Sequence, residues 1–280
     1  MAKSPTLEVF FTSDYAVYAS SVLKPRTVAE YQRLFRACIL PALGDKPLAK
    51  ITTRDVELWN IKLRTRTPTQ ANRALAALSS ALRLAAKWGL ISVNPANGVS
   101  QAKEKARERY LTADEVKRLK QATSQLTETE RAFVLLALYT GARPGELLAA
   151  QWEWVTETTI ELPDSKTGRR TIFLPPPAQE LLCGLRGHAI SMTGPILPDV
   201  DSRAVWRAVR RAAGLGDLRM YDLRHTFASA ALAADLPLEA VSQLLGHRTP
   251  LTTRRYTHLL PGVGKEAAAR TAAKLAEMSL

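Results

Sequence analysis

Between Thr6 and Leu90 the apolar residues recur at the three- and four-residue spacing of an α-helix, and strand-like alternation is absent. That periodicity confines the first third of the chain to a helical fold. One amphipathic segment spans Thr6 to Ser20. A second runs from Arg26, just after Pro25, to Ile39 and is expected to stop before Pro41, since proline neither donates a backbone hydrogen bond nor fits a helix interior. A third follows Thr52 and Thr53 through Val56, Leu58, Trp59, Ile61 and Leu63. The fourth is the clearest: Leu75, Leu78, Leu82 and Ala85 share one face, and Gly89 lies just past the end. The pattern predicts a small four-helix domain.

A break follows. Residues 93–109, VNPANGVSQAKEKARER, are rich in Asn, Pro, Gly and charge and read as a linker. The expected organisation is a helical domain over 1–95, a linker over 96–108 and a second domain over 109–280. The second domain opens on a capping box, Thr112 with Glu115, and residues 131–139, RAFVLLALY, are apolar enough for a buried helix. WEWV, TTIEL and RTIFL are short β-type runs with the turn DSKTGR between the last two. From Arg203 onward the pattern is helical again. The fold class expected is mainly α, with a small antiparallel β-sheet in the C-terminal domain.

Charge narrows the partner. Lys and Arg number 39 against 26 Asp and Glu, a net charge of +13. Residues 1–105 hold 16 of the basic side chains and only 7 of the acidic ones, so most of the excess sits on the smaller part. Such asymmetry points to a phosphate-binding surface. No apolar run approaches the roughly 20 residues that span a bilayer, and MAKSPTLEVFF lacks the apolar core of a secretory signal. Cys38 and Cys183 have no metal-type spacing and read as reduced thiols packed as small apolar groups. A cytoplasmic protein with no membrane partner is expected.

Several segments carry chemistry. In TGARPGEL, Gly141 suits a helix stop and Pro144 the first turn of the next helix, which sets Arg143 at a helix N-terminus favourable to an anion. Arg143 could equally pair with Glu146. In YDLRHTFASAAL, Asp222 can cap the following helix, and Tyr221 and Arg224 can face one ligand. Arg224 opens an Ala-rich, buried helix and there needs a strong anionic partner, whereas His225 reads as a hydrogen-bonded core histidine. In VSQLLGHRTPLTTRRYTHL, Gly246 ends one helix and Thr249 and Pro250 start another carrying Arg254, Arg255 and Tyr256. His247 lies in the turn between them, and the segment taken alone also reads as a helix-turn-helix. Lys166 sits in the DSKTGR turn.

TGARPGEL, SKTGR, DLRHTFAS and LGHRTPLTTRRYTH stand in the order and spacing of the tyrosine recombinases (the phage integrase family), which residues 109–260 resemble. Residues 6–95 are similar, more weakly, to that family's helical core-binding, SAM-like domain. The resemblance implies a site-specific recombinase in which Arg143 and Arg224 are the catalytic arginines, Lys166 the hairpin lysine, His247 the histidine after LG and Tyr256 the nucleophile. At Tyr221 the family usually has His. A phenol donates a hydrogen bond but is a poor general base near neutrality, so Tyr221 is expected to bind and position.

The chemistry implied needs neither metal nor ATP, hence no cofactor. The two guanidiniums steady the non-bridging oxygens, Tyr256 forms a 3'-phosphotyrosyl bond and Lys166 protonates the leaving oxygen. No GxxxxGK[ST], HExxH or Cys/His metal spacing occurs, and Glu146 and Asp222 suit structural roles. The partners implied are double-stranded DNA, gripped by two basic domains, and three further protomers in a homotetramer on paired sites, with host accessory factors compatible. The tail GKEAAARTAAKLAEMSL is expected to form a helix on a neighbouring protomer. Few residues precede Thr6, which favours an Xer-like two-domain form. Two alternatives are a type IB topoisomerase-like nicking and resealing enzyme and a non-catalytic helix-turn-helix regulator. Neither the target sequence nor the outcome (integration, excision, inversion or resolution) is legible.

Overall fold

The computed structural model describes residues 4–104, 107, 109–164, 168–187 and 193–247. It divides into two compact units, Met1–Ala106 and Arg107–Leu280. Among the described residues no helix is long and apolar enough to cross a membrane.

The N-terminal unit is built of α1 (Leu7–Phe10), α2 (Ala16–Val22), α3 (Pro25–Leu34), α4 (Leu40–Leu43), α5 (Thr53–Arg64) and α6 (Pro68–Lys87). A π-helical turn, Phe11–Tyr15, joins α1 to α2, and another, Phe35–Ile39, joins α3 to α4. The chain therefore does not stop before Pro41. The wider turn breaks the hydrogen-bond ladder just ahead of it, and Pro41 falls in the first turn of α4, where no N–H is required. The two wide turns face each other, with Phe11 and Phe35 stacked at 3.7 Å between ring centroids. The carbonyl of Cys38, in the second of them, accepts the indole N–H of Trp59 at 2.8 Å.

α6 supplies the unit's spine. Ala74, Leu78, Ala81 and Leu82 are wholly buried, as the spacing of its apolar residues requires. Beyond it, the segment that reads as linker packs back on this unit: Asn94 donates to the Ser79 carbonyl at 3.1 Å, and Asn72 exchanges two hydrogen bonds with the backbone of Ala102.

The C-terminal unit wraps α8 (Glu128–Thr140), whose Phe133 and Val134 are fully buried. α7 (Ala113–Ala122), α9 (Pro144–Ala149), α10 (Pro176–Gly187), α11 (Ser202–Ala212), α12 (Asp222–Ala233) and α13 (Leu238–Leu245) complete its described helices. The described sheet is two-stranded and antiparallel, β1 (Thr159–Leu162) with β2 (Arg170–Phe173), in the register Ile160 to Ile172 and Leu162 to Arg170. WEWV is not a strand: Trp152–Trp154 close a 3-10 turn that sinks Trp152 into the core. Cys183 is exposed rather than packed away, because it follows Leu182 by one residue and so turns off the buried face of α10.

Capping boxes start three of the longer helices. Thr52 and Asp55 open α5, Thr112 and Glu115 open α7, and Thr127 and Glu130 open α8. Lys46, at 2.6 Å, together with the Thr52 N–H, holds Asp55 down at about 2. The folded carboxylate thus binds its proton later than the unfolded one, and its stabilisation is present above the ordinary pKa near 4 and lost as pH falls towards 2. Asp55→Asn is expected to cost about 1 kcal/mol at pH 7, a capping-sized effect on a partly exposed pair. Urea titrations at pH 7 and pH 2 check this; the difference from the parent protein should shrink to near zero at the lower pH.

Candidate active site

Arg224 lies in the first turn of α12 with 1% of its surface exposed, and no carboxylate contacts it among the described residues. Its two terminal nitrogens donate to backbone carbonyls instead: Nη1 to Gly141 at 2.7 Å and Nη2 to Leu245. Both acceptors come from helix ends. Gly141 ends α8 with φ +61°, and Leu245 is the last residue of α13, which Gly246 ends with φ +62°. The aligned carbonyls at such ends carry partial negative charge, so they orient a guanidinium without neutralising it.

Arg143 follows two residues after Gly141. It stands at the N-cap of α9, as the TGARPGEL pattern requires, and Pro144 begins the helix. The anion facing that N-terminus is the protein's own: Glu146 accepts the Arg143 backbone N–H at 2.9 Å and its Nη1 at 2.6 Å. The pairing alternative for Arg143 is therefore realised. Yet Glu146 is shared, because its other oxygen also takes Nη1 of Arg170.

Arg170 escaped sequence reasoning, although a signal was there. Counting back by twos from Leu174 and Ile172, both buried, lands on Arg170, which the pleat must turn inward. It is 6% exposed, and Nη2 reaches the Leu244 carbonyl at 3.4 Å. Two guanidiniums, Arg143 and Arg170, thus share one carboxylate, and with Arg224 beside them the largely buried cluster carries two positive charges in excess. Burial pushes Glu146 up, but Arg170 and Arg143 outweigh it and hold the carboxyl below its usual range. Burial, followed by repulsion from Arg170, lowers Arg224 to about 10. The Nε atoms of Arg170 and Arg224 have no hydrogen-bond partner among the described residues.

Near this cluster stand Tyr221, His225 and the backbone of His247. Tyr221 closes the turn before α12, 40% exposed, its ring edge-on to that of His225 at 5.3 Å between centroids. Arg143, like Arg170, is felt at Arg224 as a neighbouring positive charge. His225 is buried, as a core histidine should be. His247 is the first residue past Gly246, and its N–H donates back to Ser242 at 3.0 Å, completing the C-terminal turn of α13. Asp222 does not cap α12. It is the helix's first residue, buried, accepting the Arg219 N–H at 2.8 Å and clamped by Arg107, whose Nη2 lies 2.9 Å away. Lys166, Tyr256, the helix expected after His247 and the tail lie outside the described residues.

Arg143, Arg224 and the backbone of His247 are therefore brought to one place by segments over 100 residues apart, and Arg170 joins them. Among the described residues no group of three or more His, Cys, Asp or Glu could hold a metal ion. What the arrangement can bind is a compact anion: a phosphodiester would supply the negative charge that Glu146 alone does not.

Comparison with known proteins identifies the family. A profile described as "Phage integrase family" matches residues 190–262, and "Phage integrase, N-terminal SAM-like domain" matches residues 6–64. The putative prophage phiRv2 integrase of Mycobacterium tuberculosis is 30% identical over 91% of this chain and 75% of its own. A lambda integrase dimer bound to a COC' core site superposes with TM-score 0.75, at 25% identity, over 90% of this chain and 95% of that one. A lambda integrase tetramer bound to a Holliday junction gives 0.76 at 25% identity, over 91% and 78%. With its helical SAM-like unit, its buried arginine cluster and a relative this similar along three quarters of its length, the chain belongs to the phage integrase family and is a site-specific tyrosine recombinase.

Proposed function

We propose that the protein cleaves and rejoins double-stranded DNA through a 3'-phosphotyrosyl bond on Tyr256, as a homotetramer on two paired sites. The observation that carries this reading is the buried Arg224, held by carbonyls only and electrostatically in want of an anion. Arg143 and Arg224 grip the non-bridging oxygens of the scissile phosphate and stabilise the charge that gathers there on attack. The Tyr256 oxygen bonds to phosphorus as the bond to the 5' oxygen breaks. Lys166 gives that oxygen its proton, and the phenolic proton leaves to water or to His247. Tyr221, at the rim, donates to a phosphate oxygen. The reverse attack, by a 5' hydroxyl from the second duplex, releases Tyr256 and completes exchange.

Residues 1–95 serve in this reading as the core-binding domain, 109–280 as the catalytic domain and 96–108 as the chain between. Basic faces support DNA as the partner in both units. α6 has no acidic residue in its 20 positions and exposes Arg73, Arg83 and Lys87. α11 exposes Arg203, Arg207 and Arg211, one turn apart along one side. The tetramer rests on the lambda relative bound to a Holliday junction. The cytoplasm, where thiols stay reduced and DNA is at hand, is the setting it implies.

A nicked duplex whose leaving fragment diffuses away traps the covalent step. The parent protein and Tyr221→Phe should both give a denaturant-resistant adduct, and Tyr256→Phe none, at unchanged DNA affinity. An adduct surviving Tyr256→Phe overturns the assignment of the nucleophile, and no adduct from the parent protein overturns the enzyme.

Arg224→Gln removes a donor aimed at developing charge and should slow cleavage by roughly 10²–10³-fold. Duplex affinity, spread over many phosphates, should fall far less. Single-turnover rates beside a binding titration at fixed salt separate the two.

A further inference from the structure

Arg170 has no part in the reaction above, yet the pocket's pieces meet at its side chain. It opens β2 opposite Leu162 and turns inward with Ile172. An apolar side chain would fill such a place without electrostatic cost, whereas a guanidinium must recover its desolvation from partners. Three surfaces meet it. Nη1 binds Glu146, whose other oxygen holds Arg143 Nη1 at 2.6 Å. Nη2 donates to Leu244, in the last turn of α13. Its Nε and Cδ lie against Gly246, where an added Cβ would come within 2.5 Å and 2.7 Å. The next residue after that glycine is His247, and Lys166 lies four positions before Arg170 in the sequence.

We propose that Arg170 is a positioning residue for strand cleavage. It pins Glu146, and through it Arg143, to the turn that carries His247, so that the donors from α9 and from the end of α13 reach one phosphate together. This rests on the phosphoryl-transfer reading and adds a residue that touches no reacting atom. The division of Glu146 is central. One oxygen serves Arg143 Nη1, and the other serves Arg170 and the Arg143 backbone N–H. Without Arg170 the second oxygen loses its competing guanidinium and can complete the Arg143 fork, the geometry a carboxylate prefers, and that guanidinium is drawn from the phosphate. Lysine cannot substitute. It keeps the charge, but as a point it cannot present one nitrogen to Glu146, another to Leu244 and a flat edge to Gly246.

The test uses the full chain on the nicked duplex at saturating DNA, comparing Arg170→Lys, Arg170→Gln, Arg170→Ala, Glu146→Gln and the double variant Arg170→Gln/Glu146→Gln. Each Arg170 variant should cleave 10–100-fold more slowly, the usual range for a residue that orients a ligand-binding group, with its duplex Kd within about twofold of the parent. The double variant should lose no more than the worse single one, because both break the same link. Millimolar guanidinium should raise the rate of Arg170→Ala and leave the parent unchanged, a rescue that a merely structural role would not give. Parent-like cleavage by Arg170→Lys overturns the proposal, as does an additive double variant or a rate that falls only in step with affinity. The parent and Tyr256→Phe run alongside: if both form adduct, it is the underlying reading that has failed.

Discussion

A buried positive charge held by dipoles rather than by a counter-charge organises the C-terminal unit. Two carbonyls fix Arg224, one from the end of α8 and one from the end of α13. A carboxylate in either place would be the more stabilising partner in the empty protein, but it would cancel the charge. The carbonyls set direction and leave the charge for a ligand. The cost is a destabilised cation, visible in the lowering of Arg224 to about 10 by burial and by Arg170 beside it. A phosphodiester bound there would relieve both causes at once, by replacing lost solvation and by offsetting the repulsion among three guanidiniums.

Glu146 shows how one negative charge can be tolerated in such a pocket. It neutralises neither arginine fully, because it is divided between Arg143 and Arg170. Its carboxyl stays ionised although burial works against it. One shared carboxylate thus keeps the cluster foldable while leaving it short of two charges. Asp222 follows a different logic: clamped by Arg107 and the Arg219 N–H, it fixes the start of α12 two residues before Arg224 and faces its own cation.

Much of this was legible in the chain, and the reasons are physical. A glycine stop followed by Arg-Pro, a buried helix opening on arginine, and LGH after an amphipathic helix are local patterns that set backbone direction within a few residues. They located Arg143, Arg224 and His247. What the sequence concealed depends on distant partners or on parity. Arg170 needed the hairpin register. Pro41 looked like a stop because nothing local announces a π-helical turn ahead of it. WEWV has β-type composition, but Trp152 gains more from the core as part of a 3-10 turn. Asp222 resembles a cap until Arg107, 115 positions away, claims it. The linker composition of residues 93–104 gave no hint that Asn72 and Ser79 would bind it.

The two glycines that end α8 and α13 bear on how the arginine cluster is held together. Each adopts a left-handed conformation that a side chain resists, but the space around it is as restrictive as the dihedral angle. A Cβ on Gly141 would strike Phe227 at 2.6 Å and approach Leu245 to 3.0 Å, and one on Gly246 would strike Arg170. Bare glycine lets the two helix ends come together over α12, near enough for Gly141 and Leu245 to face one guanidinium. Left-handed helix stops are common in proteins and carry no function in themselves. Here the absence of a side chain is what permits the close approach, and the close approach aims the carbonyls. The charge of Arg224 is held in place by residues that contribute no charge of their own.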